Sequence, residues 1–330
     1  MSLHIAAKTN EPGAACADVT ERILDEEALR HWPLPVADDD GDKEDRGKVV
    51  IVAGSREMPG AVILAAVAAL RAGAGKLVVA TGASIAGLVA AAVPEARVLA
   101  LDETAAGGLD TGAADRIAGL VGAGDGILIG PGMQDEHAIC TLVAALLPQL
   151  GNAKVVLDAA AMGVVCSEEA HRHVSGAIPG DDHWHLRGSF AVPVLLTPHA
   201  GEMAHLTGLS KTAILKSPAA YASEYAKKWR AVVALKGATT FIAASDGSVW
   251  RHDGGNVGLA VSGSGDALAG IIVGLVARGA SLRQAAAWGV ALHARAGEEL
   301  AQRIGPLGYL AREIADRVPA LMQRLGEPRV

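Results

Sequence analysis

Residues Gly47–Thr81, GKVVIVAGSREMPGAVILAAVAALRAGAGKLVVAT, read as one strand–helix–strand unit. KVVIVAGS is a continuous β-branched run closed by Gly54-Ser55, the pattern of a strand buried on both faces. GAVILAAVAALRAGAG is a helix ended by glycines, and KLVVATG is a second strand. The alternation continues outward from there. ARVLAL, GILIGPG, KVVLDAA, PVLLTPHAGE and AVVALKGATTFIAA are strand candidates; DEHAICTLVAALLPQL, GEMAHLTGL and SPAAYASEYAKKW are helical. After Gly263 the chain is mainly helical, with GDALAGIIVGLVARG, SLRQAAAWGVALHARAGEEL and LAREIADRVPALMQRL. Repeated βα units predict an α/β fold with a mostly parallel sheet covered by helices on both faces. One domain is expected over residues 47–330. Residues 1–46 read as an N-terminal arm and acidic linker, in which VTERILDEEALRHWPLP predicts a short helix capped by Thr20 and VADDDGDKEDRG a solvated connection.

A chain of 330 residues, 51% hydrophobic, buries about three quarters of its unfolded surface and needs no disulfide or structural metal. With two Phe, five Trp and three Tyr, the core falls to Ala, Val, Leu and Ile. A net charge of −7 and the lack of a Lys/Arg stripe argue against a nucleic-acid partner. Cys16, Cys140 and Cys166 are an odd, dispersed set without metal-type spacing, which fits reduced thiols and a cytoplasmic location. The opening MSLHIAAKTNEPG has no signal-peptide pattern, and the longest apolar runs fall short of the ~20 residues of a membrane helix, so no membrane association is expected.

In parallel sheets, ligands bind beyond the carboxyl ends of the strands. Those ends carry GS at 54–55, GPG at 130–132, Asp158, TPHAGE at 197–202 and KGATT at 236–240, which together suggest a shared cleft. Asp266 follows Gly263-Ser264-Gly265 at the start of an apolar helix. The free N–H groups of that first turn attract an anion, and a carboxylate beside them can take a proton from a hydroxyl. The plainer reading of Asp266 is an N-cap worth about 1 kcal/mol. The other candidates divide in the same way. His199 is a ligand contact or a loop histidine, and Glu202 contacts a ligand or complements a helix dipole. Lys236 and Gly237 lead to a nucleotide or form a hairpin turn with a surface lysine. GPGM at 130–133 is a ligand loop or a tight turn. Asp158 holds a substrate hydroxyl or metal-bound water, or caps a turn, and His293 reads as a packed helical histidine. No Walker loop competes: AGAGK at 72–76 closes a helix instead of opening one, and Leu77 follows where Ser or Thr is required.

As an ordered set, GKVVIVAGS, GILIGPG, VVLDA, LLTPHAGEMAHLTG, VALKGATTFIA, GSGDALAGIIVGLVARG and ALHARAGEELA resemble the ADP-dependent NAD(P)H-hydrate dehydratase family of the ribokinase-like superfamily. The resemblance runs on through GYLAREIADRVPAL. It implies a ribokinase-like three-layer α/β/α fold and a repair reaction on NADHX or NADPHX, the hydrated forms of NADH and NADPH. ADP (or ATP) phosphorylates the added hydroxyl, and loss of phosphate restores the dihydronicotinamide and leaves AMP. On that resemblance Asp266 is the base and Ser264 and Gly265 form the anion hole. Ala61, Gly132 and His199, with Asp266, line the hydrate pocket. Lys236, Gly237, Ala238, Thr239, Thr240 and Gly265 hold the nucleotide. It further implies Mg²⁺ bridging the phosphates, although no residue is assigned to the metal, a homotetramer, and a separate NAD(P)HX epimerase, for which the first 46 residues leave no room.

Three departures from the family pattern stand out. Ala160 replaces a second carboxylate, Val261 and Ser262 alter the phosphate loop, and residues 175–191 are long and polar. Two rival readings use the same residues: an ATP-dependent small-molecule kinase acting on a vitamin-precursor alcohol, and a nucleotide-binding regulatory protein without catalysis.

Overall fold

The computed structural model describes residues 19–36, 42–43, 46–166 and 189–326; Cys16, most of the acidic linker and most of the 175–191 segment lie outside the described residues. Its strands are β1 (Glu21–Ile23), β2 (Lys48–Val52), β3 (Lys76–Gly82), β4 (Arg97–Leu101), β5 (Gly126–Ile129), β6 (Lys154–Leu157), β7 (Val194–Leu196), β8 (Val232–Leu235), β9 (Thr239–Ala243) and β10 (Val249–Asp253). They form one sheet in the order β1-β10-β9-β8-β7-β6-β5-β2-β3-β4. Every neighbouring pair is parallel except β8–β9 and β9–β10. The helices are α1 (Glu26–Arg30), α2 (Pro59–Arg71), α3 (Ala83–Ala92), α4 (Ala114–Ala118), α5 (Glu136–Leu146) and α6 (Ala200–Thr207). They continue with α7 (Lys211–Lys216), α8 (Pro218–Trp229), α9 (Ser264–Ala277), α10 (Leu282–Arg303), α11 (Ala311–Ala315) and α12 (Val318–Gly326).

Alternation along the strands separates two apolar layers. Val49, Ile51, Val79 and Leu128 face α2, α9 and α10, whereas Val50, Val52, Ile127 and Ile129 face α5 and α8. The expectation of buried helices in the two long apolar runs holds, and their small residues explain how they pack. A Cβ on Gly270 would lie 2.3 Å from the Ala65 carbonyl oxygen, and one on Gly274 2.5 Å from that of Ala69. Glycine at these two positions lets α9 approach the backbone of α2. None of the described helices is long and apolar enough to cross a membrane.

The strand order reverses between β2 and β5, because β2 leads to β3 on one side while β5, β6, β7 and β8 are laid down on the other. The two loops that leave this point are tied together by the Gly54 N–H donating to the Pro131 carbonyl at 2.8 Å. This is where a parallel sheet opens a crevice.

Several expectations at the chain's periphery need correction. The stretch 19–35 is not one helix capped by Thr20. Glu21–Ile23 pairs with β10 as an edge strand, and the five-residue α1 that follows is capped by Asp25, whose Oδ1 accepts from Ala28 N–H at 2.9 Å. The side chains of Gln284 and Trp288 on α10 donate to the Trp32 carbonyl, so this stretch is fastened to the core. β10 and α7 carry too few apolar residues in period to stand out in the sequence, and α3, ASIAGLVAAA, is apolar almost throughout and so shows no period. LAREIADRVPALMQRL divides into α11 and α12, with Pro319 in the first turn of the second.

Candidate active site

Three of the five strand ends singled out in the sequence, Asp158, 197–202 and 236–240, converge directly, and Lys236 is where they meet. This residue follows β8, and its backbone N–H donates to the Pro198 carbonyl at 2.7 Å, which places it beside His199 after β7. Its ammonium lies 3.3 Å from Asp158 Oδ1, after β6, and 3.8 Å from Glu202 Oε2, in the first turn of α6. Asp158 is buried and also accepts from the Thr197 hydroxyl at 2.6 Å. Lys236 is therefore no surface lysine of a hairpin. Burial works against its charge, yet Asp158, Glu202 and Asp266 more than offset that and hold its pKa above the ordinary lysine value.

Gly265 and Asp266 approach the same lysine from α9. A Cβ built on Gly265 would meet nothing closer than Lys236 Nζ at 3.6 Å, so the backbone there faces open space. Gly263, the residue before the helix, has φ +88°, and no side chain caps α9. Ser264 N–H donates to the Val261 carbonyl at 3.2 Å, so the donors that this fourteen-residue helix leaves without a cap are those of Gly265 and Asp266. Ser264 behind them is buried, with Oγ 2.9 Å from His293 Nε2 on α10. The same nitrogen is 3.1 Å from the Ser264 carbonyl oxygen. Burial pushes His293 down to about 4, in spite of that carbonyl, so a neutral imidazole holds the turn at neutral pH.

The Asp266 carboxylate is half-buried. Burial, with Asp158 adding to it, pushes its pKa up to about 6 against the opposing pull of Lys236. A carboxyl group so placed is ionised at neutral pH yet basic enough to accept a proton from a hydroxyl. Three carboxylates around one ammonium leave the cleft floor one negative charge richer per unpaired acid, and that charge is opposed by the open helix end.

The remaining sequence candidates fall into place around this centre. Ala61, in the first turn of α2, packs on Gly132 after β5: a Cβ on Gly132, at φ +64°, would lie 2.5 Å from that of Ala61. Gly237 and Ala238 are exposed at the β8–β9 turn, next to Lys236. Thr239 and Thr240 begin β9, and the Thr239 hydroxyl donates to Asp253 Oδ1 of β10 at 2.7 Å, which ties it into the sheet edge. His199 is the N-cap of α6, its Nδ1 accepting from the N–H of Gly201 and Glu202, while Glu202 accepts from the His199 N–H at 2.7 Å. Its Nε2 lies 3.7 Å from Glu202 Oε2, and the side chain is exposed. In the sequence Thr197 reads only as part of the 197–202 strand end; its role in anchoring Asp158 has no signal there, because the two residues meet across 39 positions. The departures Ala160 and Ser262 differ in setting: Ala160 lines the cavity next to α5 and α6, whereas Ser262 is exposed ahead of Gly263.

Comparison with known proteins gives the geometry a context. A family model described as NAD(P)H-hydrate dehydratase matches residues 49–320. The ADP-dependent (S)-NAD(P)H-hydrate dehydratase of Xanthomonas campestris is 47% identical over 304 residues, 92% of this chain and 97% of that protein. A bifunctional NAD(P)H-hydrate repair enzyme of Moorella thermoacetica is 38% identical over 89% of this chain, which spans only 52% of that longer protein. The Bacillus subtilis ADP/ATP-dependent NAD(P)H-hydrate dehydratase, co-crystallised with ATP/Mg²⁺, superposes with a TM-score of 0.75 at 30% identity, covering 93% of this chain and 99% of the other.

Proposed function

The chain belongs to the NAD(P)H-hydrate dehydratase family, and from that premise we propose that it dehydrates the S-epimer of hydrated NADH or NADPH at the expense of ADP. The observation that carries the reading is the pairing of Asp266, with its raised pKa, with the uncapped N-terminus of α9 across from Lys236. Hydroxide is a poor leaving group and phosphate a good one, which is why a kinase-like fold suits a dehydration.

The hydrate enters between Ala61–Gly132 and His199, with its ring hydroxyl against Asp266. Asp266 takes the hydroxyl proton as that oxygen attacks the terminal phosphorus of the nucleotide. In the anion hole of Ser264 and Gly265, the Gly265 N–H donates to the oxygens of the transferred phosphoryl group as charge develops there, while the Ser264 N–H holds the turn through the Val261 carbonyl. Lys236 balances the same charge, and the backbone of residues 236–240 holds the rest of the nucleotide. The carbon–oxygen bond then breaks and phosphate leaves. A proton lost from the neighbouring ring carbon gives NAD(P)H, with AMP as the other product. Mg²⁺ suits this cleft as an ion carried mainly by the phosphates: the donors facing it, Asp158, Glu202 and Asp266, are all carboxylate oxygens, and Lys236 already neutralises part of them. When bound, the ion screens the phosphate charges. A homotetramer in the cytoplasm and a separate epimerase supplying the S-form complete the proposal.

The test is turnover of hydrated NADH with Mg²⁺ and ADP, ATP or no nucleotide. Return of dihydronicotinamide absorbance only with nucleotide, with AMP or ADP and phosphate in equal amounts, is the expected result. Nucleotide binding without recovered absorbance rejects it, and a stable phosphorylated product would point to a kinase instead.

A further inference from the structure

Behind α6, on the far side of its cap from Lys236, three metal-ligating side chains from three elements meet. Glu136 opens α5, Cys166 ends the short turns that follow β6, and His205 stands in the last turn of α6. One ligand atom from each lies within 4.8 Å of the other two. His205 Nε2 is 3.0 Å from Glu136 Oε1, and Cys166 is buried and in no disulfide. Gly163 makes the room: a Cβ there would sit 2.7 Å from Glu136 Oε1 and 3.0 Å from Cys140 Sγ. Beside the cluster is a cavity of about 350 Å³ whose lining includes Glu136, Gly163, His205 and, on the cleft side, His199 and Glu202.

We propose that Glu136, Cys166 and His205 bind a divalent cation of the zinc class, with its fourth coordination position open to this cavity. Zinc takes thiolate at about 2.3 Å, imidazole at about 2.0–2.1 Å and carboxylate at about 2.0–2.2 Å in tetrahedral geometry, which sets the ligand atoms roughly 3.3–3.5 Å apart. Carboxylate and imidazole already stand near that separation, and the thiol, within 4.8 Å of both, has to approach by at most about 1.5 Å. Sulfur, nitrogen and oxygen together select a borderline ion over Mg²⁺, whose preference is for oxygen alone. The site is thus chemically separate from the phosphate-bound ion of the cleft. Binding transfers the thiol proton to solvent and cross-links α5 to α6, the helix whose other end carries His199 and Glu202.

The competing account is a plain His205–Glu136 hydrogen bond beside an inert buried thiol. Full-length protein stripped with chelator and titrated with Zn²⁺ or Co²⁺, without nucleotide, separates the two. One Co²⁺ per chain with a thiolate-to-metal absorption band in the near ultraviolet is expected. Affinity should fall more than about 100-fold in His205→Gln and in Cys166→Ser, since even outer-shell partners are worth roughly 10- to 100-fold. Cys140→Ala should bind as the parent does. His205 is partly exposed, so His205→Gln and the parent's thiolate band decide the matter even if Cys166→Ser does not fold. Binding without a thiolate band overturns the proposal. So does binding retained by both variants, which would place the metal elsewhere, for instance among His171, His173, His183 and His185 of the sequence.

Discussion

The N-termini of α6 and α9 face the same lysine and have opposite fates. At α6 the helix is closed by its own residues: His199 accepts from two N–H groups, and Glu202 returns a bond to the His199 N–H. The Glu202 carboxylate also sits where an incoming anion would be repelled. At α9 the residue before the helix is a glycine with no side chain to offer, and Ser264 is turned away toward His293. One terminus is closed by its own side chains and the other is left open beside Lys236. The difference lies in whether a side chain has already taken the helix's spare donors.

The sharpest way to break this contrast is Asp266→Asn. Asparagine keeps the shape but cannot take a proton, so turnover should drop by about 10²–10⁴-fold while nucleotide affinity survives. Near-normal turnover would reduce Asp266 to a helix-start residue. Gly265→Asp probes the open end itself. The space beside Gly265 admits a side chain and an acidic first turn suits the helix, so the protein should fold. Its carboxylate would occupy the anion site, and nucleotide affinity measured by calorimetry should fall roughly 100-fold or more. Unchanged affinity would mean that phosphate binds elsewhere.

The pH profile sharpens the comparison next. With Asp266 at about 6, kcat/KM should fall roughly tenfold per unit once the pH drops below that value. Stability runs the other way for this group. Between the ordinary carboxylate value of 3.8 and about 6 the folded chain holds a proton that the unfolded chain has lost, so rising pH costs stability across that window. Asp266→Asn should therefore melt higher than the parent above pH 6 and converge with it near pH 4. A variant that melts lower at pH 8 would show that the ionised carboxylate stabilises the fold. The smallest effect is expected at the closed terminus. His199→Ala removes the α6 cap and should cost about 1 kcal/mol in denaturant unfolding. His199→Asp restores a cap acceptor and should recover that stability, but it should not recover turnover if the imidazole touches the hydrate.

Much of this molecule was legible as a line of residues. The β-branched runs at 48–52, 126–129 and 154–157 could only be strands covered on both faces, and the glycines and polar residues after them marked the cleft end of the sheet. Asp266 and the small residues before it were visible because three small residues without a capping side chain lead straight into a carboxylate and a long apolar run. The edge strand 21–23 was not, because three residues take their conformation from β10 and carry no period of their own.

The sequence by itself thus determined the layered fold, the glycine-rich and polar ends of its parallel strands and the glycine-led start of α9. These are written in local periodicity and in residue types adjacent along the chain. Only the tertiary structure decided that Lys236 sits half-buried between carboxylates rather than spread on a hairpin. It alone also decided that His199 spends its Nδ1 on a cap, that His293 reaches across 29 residues to hold Ser264, and that Glu136, Cys166 and His205 stand in one cluster. Those outcomes depend on side chains from different elements meeting in space, and a charge or a donor acquires its role from the partner it meets.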